Sequence, residues 1–240
     1  MDEGGPRAKR AAMWPSVVLY DFDYTLADTS QGTIECVNYA LRQMGLPPAR
    51  DRKILKTIGL SMTATFEHVT GIPATPELVC AFTEHFITRA DQVMAGHTHL
   101  YPGVRDVVRT LSEHGIKQGI VTSKLRYRVE EIAAGEGIDQ YFSVIVGAGD
   151  CPRHKPDPSG LRLALQRLGC SPEMAVYVGD HLVDAQAAAA AHVAFIPALT
   201  GLIRAREFRK FPFRAMIRDL RELPAILGLG DAEEEAAECD

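Results

Sequence analysis

Five continuous apolar runs, most of them closing on polar residues, constrain this chain more than any other feature. The first is SVVLYDFD over 16–23, and the others span 117–123, 143–147, 175–180 and 193–197. A strand with one wet face alternates apolar and polar residues. An unbroken run needs cover on both faces, as in a parallel sheet with helices on each side. The connecting segments supply those helices. Val104, Val107, Val108 and Leu111 share one helical face over 104–114, and Leu161, Ala164, Leu165 and Leu168 share another over 159–168. Strands alternating with helices predict a doubly wound α/β fold.

The first two runs are separated by about 95 residues, far more than a crossover helix requires. The gap reads as helical. Ile34, Val37, Leu41 and Met44 fall on one face ahead of Gly45, and Pro76 opens a second stretch with Leu78, Val79, Phe82 and Phe86. The expected organisation is therefore a core over 16–29 and 99–225 with an all-helical subdomain inserted over 30–98. Flexible termini are expected over 1–15 and 230–240.

Charge excludes some functions. Six acids and no base occupy the last ten residues, so the rest of the chain turns a net charge of −5 into +1. A nearly neutral body argues against a dedicated nucleic-acid binder. The basic stretch from Arg204 to Arg221 also carries Phe208, Phe211, Phe213, Met216, Ile217 and Leu220, which reads as an amphipathic element with a solvated face. Five scattered cysteines with no C-x-x-C pair suit reduced thiols in the cytoplasm. No run approaches a membrane span. His97 and His99 lack a third ligand nearby and read as a solvated hinge.

In a doubly wound sheet, ligands meet the C-terminal ends of the strands. Here those ends carry Asp21 and Asp23 with Thr25, then Thr122, Ser123 and Lys124, then Asp180 and Asp184, with Lys155 in K-P-D-P between the last two strands of this set. Carboxylates converging on one rim repel one another unless a cation sits among them. Hard oxygen ligands suit Mg²⁺.

The four motifs D-x-D-x-T at 21–25, the strand-end Thr122, Lys155 and G-D-x-x-x-D at 179–184 occur in the order of the haloacid dehalogenase superfamily, which the chain resembles over roughly 16–201. That resemblance implies a Rossmann-like core, a helical cap of the C1 type and phosphatase chemistry. Asp21 resembles the nucleophile that forms an aspartyl-phosphate, and Asp23 the general acid and base, whose backbone carbonyl also meets the metal. Thr122, Ser123 and Lys155 would bind the phosphoryl group. Asp21, Asp23 and Asp180 would hold Mg²⁺, with Asp184 holding a metal-bound water or orienting Lys155. Residues 28–47 and 58–62 resemble the phosphoglycolate phosphatase branch. The implied partner is therefore a small phosphorylated metabolite, 2-phosphoglycolate first, for a monomer or homodimer that binds neither nucleic acid nor membrane. Pyrophosphate, nucleotides and sugar phosphates are alternatives, as is a phosphomutase reaction. Asp23 counts against carbon–halogen hydrolysis. Three departures bear on specificity: Tyr24 where relatives commonly have Gly, Ser123 for a frequent Asn, and His181 for a common Ser or Thr.

Overall fold

The computed structural model describes residues 15–229, so the expected flexible arm (but for Pro15) and the acidic tail lie outside the described residues. In chain order the elements are β1 Val17–Tyr20, β2 Ala27–Asp28, α1 Ser30–Gln43, α2 Asp51–Leu55, α3 Met62–Thr70 and α4 Pro76–Val93. They continue with β3 His99–Leu100, α5 Val104–Glu113, β4 Lys117–Leu125, α6 Arg126–Gly135, β5 Val144–Ala148 and α7 Ser159–Leu168. The last are β6 Ala175–Gly179, α8 Leu182–Ala191, β7 Ala194–Pro197, α9 Ala205–Phe208 and α10 Leu223–Ile226.

The five long runs form one parallel sheet in the order β5-β4-β1-β6-β7. The continuous runs now have their cause. On β1, Val18 and Tyr20 pack with α5 and α6 on one face, while Val17 and Leu19 pack with α7 and α8 on the other. All four are essentially buried. Each fully buried aliphatic side chain contributes about 1.5–3 kcal/mol, so the central strand of the sheet is firmly anchored on both faces. The helical faces read from the sequence, Val104/Val107/Val108/Leu111 and Leu161/Ala164/Leu165/Leu168, are the buried faces of α5 and α7.

Helices α1–α4 pack around a separate apolar cluster of Val37, Leu41, Ile54, Phe66 and Phe82, with the Phe66 and Phe82 rings edge-to-face at 5.5 Å. The two chain passages into and out of this helical insertion are clamped as the antiparallel pair β2–β3, with Ala27 opposite Leu100 and Asp28 opposite His99. His99 is exposed there, and His97 Nε2 lies 3.5 Å from Glu35 Oε2.

Two expectations change. Strand β4 runs two residues past 123, and its register with β5 is irregular between Val121 and Leu125, which re-aims the side chains of Thr122, Ser123 and Lys124. The basic stretch beyond Arg204 is not one amphipathic element. Only α9 is helical before Pro212, whose missing N–H stops a helix from continuing. The apolar half of the reading stands, since Phe208, Ile217 and Leu220 are buried. The chain runs back along β7, with Arg214 N–H donating to Phe195 and Ile217 N–H to Pro197, and so covers that sheet edge.

Candidate functional site

The tip of β1 delivers Asp21 and Asp23, and the turn beyond it is held locally. Tyr24 N–H donates to Ala27 O at 2.8 Å, and Leu26 N–H to Phe22 O at 2.9 Å. Tyr24 itself has φ 60°, the left-handed region that glycine adopts freely and a bulky side chain adopts at a cost of ~1–3 kcal/mol. The turn therefore asks for the glycine that relatives commonly carry, and Tyr24 tolerates it because its surroundings hold it. Its carbonyl accepts from the Thr200 hydroxyl, and its ring is nearly buried.

Strand β6 delivers Asp180, and α8 delivers Asp184. One oxygen of each of Asp21, Asp180 and Asp184 lies within 4.8 Å of the others, and all three residues are buried. At 4.8 Å two unit charges repel by about 3 kcal/mol at an effective dielectric of ~20. One ammonium stands against them. Lys155 Nζ is 2.9 Å from Asp21 Oδ1 and 2.6 Å from Asp184 Oδ1, and donates to the Tyr177 hydroxyl at 3.1 Å. Burial pushes the Asp21 carboxyl up to about 7 against the pull of Lys155, with Asp184 and Asp23 adding to the rise. Burial likewise raises Asp180, with Asp184 and Asp21 as further causes. Burial alone would lower Lys155, but Asp184 and Asp21 more than offset it.

This donor set fits a hard divalent cation. Three buried carboxylates share one ammonium, and Asp21 Oδ1 has no aligned hydrogen-bond donor. The cation would restore charge balance. Neighbouring groups already orient the set. The Thr25 hydroxyl donates to Asp180 Oδ1 at 3.3 Å, and Asp184 Oδ2 accepts the His181 N–H at 3.0 Å as part of the α8 capping box. Asp184 is thus both a helix cap and a Lys155 partner.

Two glycines are required by close approach. A Cβ on Gly179 would stand 2.7 Å from Asp184 Cβ, and one on Gly201 would stand 1.9 Å from Asp180 Oδ2. Gly201→Ala should displace Asp180 and weaken Mg²⁺ binding on the order of 10–100-fold. Isothermal titration with Mg²⁺ checks this, and an unchanged affinity would show that Asp180 is not a ligand.

The remaining expected residues are placed as follows. Asp23 is not in the carboxylate cluster. Its Oδ1 pairs with Lys124 Nζ at 3.0 Å, both side chains being about nine-tenths buried, so any contact of Asp23 with a metal would have to come from elsewhere than this carboxylate oxygen. Thr122 is buried, and its hydroxyl accepts the Lys124 N–H at 3.2 Å. The Ser123 hydroxyl, expected on the phosphoryl group, donates instead to Gly59 O of the insertion at 3.2 Å. His181 is the N-cap of α8, with Nδ1 accepting the Val183 N–H at 3.3 Å.

Sequence reasoning set Lys124 on the rim without giving it a role, and passed over Tyr177 and Gly201. Tyr177 carries the one hydroxyl in a buried run, and that hydroxyl reaches Val121 O at 2.9 Å and Asp184 Oδ1 at 3.1 Å. A lone polar atom on a core strand needs a partner, so its position was a usable signal.

Two spaces flank the site. An open cleft of ≈ 660 Å³ brings Tyr24, Asp180 and His181 together with Arg52, Lys56 and Arg204. A smaller chamber of ≈ 230 Å³ lies under the insertion beside Asp23 and Lys124, and Ile58 lines both.

Residues 18–198 match the family model of haloacid dehalogenase-like hydrolases. A phosphoglycolate phosphatase of Salmonella choleraesuis is 32% identical over 194 residues, covering 72% of this chain and 77% of its own. Pyrophosphatase PpaX of Oceanobacillus iheyensis is 28% identical over 211 residues, covering 88% of this chain and 96% of its own. The crystal structure of a Bacteroides fragilis protein attributed to the haloacid dehalogenase-like hydrolases superposes with a TM-score of 0.84 at 37% identity, over 87% of this chain and 99% of that one.

Proposed function

The chain belongs to the haloacid dehalogenase-like hydrolase family, as one of its phosphatases, and on that premise we propose that it hydrolyses small phosphomonoesters with Mg²⁺ through an aspartyl-phosphate on Asp21, with 2-phosphoglycolate the leading substrate. The observation that carries this reading is Lys155, buried between Asp21 and Asp184 in a cluster of three carboxylates. An anionic nucleophile approaches an anionic phosphate only where cations screen both.

A carboxylate oxygen of Asp21 attacks phosphorus, and the bond from phosphorus to the leaving oxygen breaks. Asp23 gives its proton to that oxygen. It then takes a proton from the water that attacks the aspartyl-phosphate, releasing phosphate and restoring Asp21. Lys155 holds Asp21 in place and offsets charge on the phosphoryl oxygens, while Asp184 and Tyr177 hold Lys155. Thr122, on the irregular end of β4, is the hydroxyl assigned to a phosphoryl oxygen. Mg²⁺ would be held by Asp21, Asp180 and the backbone carbonyl of Asp23, with Asp184 beside them, and would supply the charge that offsets the three carboxylates. The scattered free cysteines among the described residues favour the cytoplasm, and among those residues no helix is long and apolar enough to cross a membrane.

The test is release of inorganic phosphate from 2-phosphoglycolate, pyrophosphate, sugar phosphates and nucleoside monophosphates, with Mg²⁺ or with EDTA. The expected result is release that requires Mg²⁺ and is fastest with 2-phosphoglycolate. Pyrophosphate is the second arm because of the PpaX likeness. No release from any ester or anhydride would end the proposal.

A further inference from the structure

We propose that the chamber of ≈ 230 Å³ under the insertion receives the leaving group, and that Lys124 and Arg128 select one carrying a negative charge. This rests on the phosphatase reading above and deepens it to a substrate class: phosphoric esters of short hydroxy acids, or a phosphoric anhydride.

The chamber's position follows from Asp23, which is on its wall. In the proposed cycle this carboxyl protonates the departing oxygen, so the departing group occupies the space that Asp23 faces. Most of the remaining wall comes from the insertion, including Val37, Ile58, Met62 and Phe86. A short acid or a phosphate fits in ≈ 230 Å³, and the selection argued here is by charge, not by size.

The charge preference follows from the donors. Lys124 and Arg128 both reach this wall, and both are buried, their side chains 8% and 3% exposed. Among the described residues Asp23 is the only acid lining the chamber. Lys124 Nζ carries three N–H donors, and its carboxylate partner is the single oxygen of Asp23 at 3.0 Å. Arg128 spends Nη2 on Asp91 at 2.5 Å, on Ile87 O at 3.2 Å and on the Tyr127 hydroxyl at 3.0 Å, all outside the chamber or at its rim, while its Nε is buried with no hydrogen-bond partner. Among the ionised side chains that line the chamber, two cations thus stand with one carboxylate, and Arg128 has its own carboxylate partner in Asp91. Unmet buried donors destabilise a site, and an anionic group with two or three oxygens supplies the missing acceptors in charge-assisted form. A polyol would bring hydroxyls that meet the donors less well and leave the charge of Lys124 with Asp23 alone.

The irregular end of β4 connects this to the sequence. It turns Lys124 into the chamber while Ser123 ties to Gly59 of the insertion. The charge-reading Lys124 and the Ser123 contact to the insertion are therefore neighbours in the chain.

The test compares kcat/KM for 2-phosphoglycolate with that for 2-hydroxyethyl phosphate, a neutral leaving group of similar size. We expect the wild type to favour the acid at least ~10-fold, the scale of one charge-assisted contact. Lys124→Met should cut that ratio at least ~10-fold, chiefly through KM for the acid, and Lys124→Arg should retain most of it. Pyrophosphate in the same assay tells a phosphate leaving group from a carboxylate one. A wild-type ratio near one, which no folding defect can cause, would overturn the inference, as would a ratio that Lys124→Met leaves intact. Absence of any Mg²⁺-dependent release from all esters would instead overturn the phosphatase reading beneath it.

Discussion

Asp21→Asn should abolish phosphate release, lowering kcat at saturating Mg²⁺ on the order of 10⁴–10⁶-fold, while leaving the metal-free protein at least as stable as the wild type. The first half follows from chemistry. An amide of the same shape cannot form the acyl phosphate, and loss of a covalent nucleophile costs about this much where it has been isolated. The second half follows from the site. Asp21 is one of three buried carboxylates within 4.8 Å, and burial pushes it up to about 7, so its ionised form opposes folding at neutral pH. Lys155 would not be orphaned, because Asp184 at 2.6 Å and the Tyr177 hydroxyl at 3.1 Å remain. A nucleophile that destabilises its own fold is the expected trade between stability and activity. Single-turnover phosphate release and a urea midpoint in EDTA check both halves. Residual turnover within tenfold of wild type would mean that water attacks the ester directly and that no aspartyl-phosphate forms.

What the sequence disclosed, and what it did not, has a physical division. The sheet was legible because burial on both faces writes a continuous run, and the polar residues that close such runs stand at the strand ends where a ligand binds. Asp21, Asp180, Asp184 and Lys155, from three of the four motifs, come together. Contacts that no motif marks left no trace. Nothing in T-S-K at 122–124 announces that an irregular register turns Lys124 to Asp23, since the same letters on a regular strand would alternate faces. Gly201 is adjacent to Asp180 only through the fold. The reverse holds for Arg204 to Arg221, where the apolar pattern was real but Pro212 denied it a helix. Tyr24 is the instructive middle case. Its oddity was visible as a residue type, and its cause, a turn at φ 60°, was not.

Lys155→Met carries the largest expected effect on stability, and the size should depend on pH in a stated direction. Its ammonium, 5% exposed, is the cation paired with the cluster of Asp21, Asp180 and Asp184. Breaking a buried ion pair by removing one partner costs about 3–5 kcal/mol. The pH dependence comes from the carboxyls. Asp21 and Asp180 are both raised in the folded protein, chiefly by burial, and Lys155 pulls both down. Without Lys155 they rise further. A group whose folded pKa exceeds its unfolded value near 3.9 binds more protons folded than unfolded between the two. Its contribution to stability is therefore present at low pH and is lost as pH climbs through the folded value. For Asp21 at about 7 in the wild type, that loss amounts to roughly 4 kcal/mol across the window. The variant should accordingly differ least from wild type at pH 5, where protons do part of the work of the ammonium, and most at pH 8. Mg²⁺ should narrow the gap at pH 8, because a cluster that has lost its ammonium binds the cation more tightly than the wild type does and is stabilised more at the same Mg²⁺ concentration. Urea midpoints of both proteins at pH 5 and 8, in EDTA and in Mg²⁺, measure all of this. An equal deficit at both pH values would mean that Lys155 holds the fold by packing alone and that the three carboxylates do not share one charge problem.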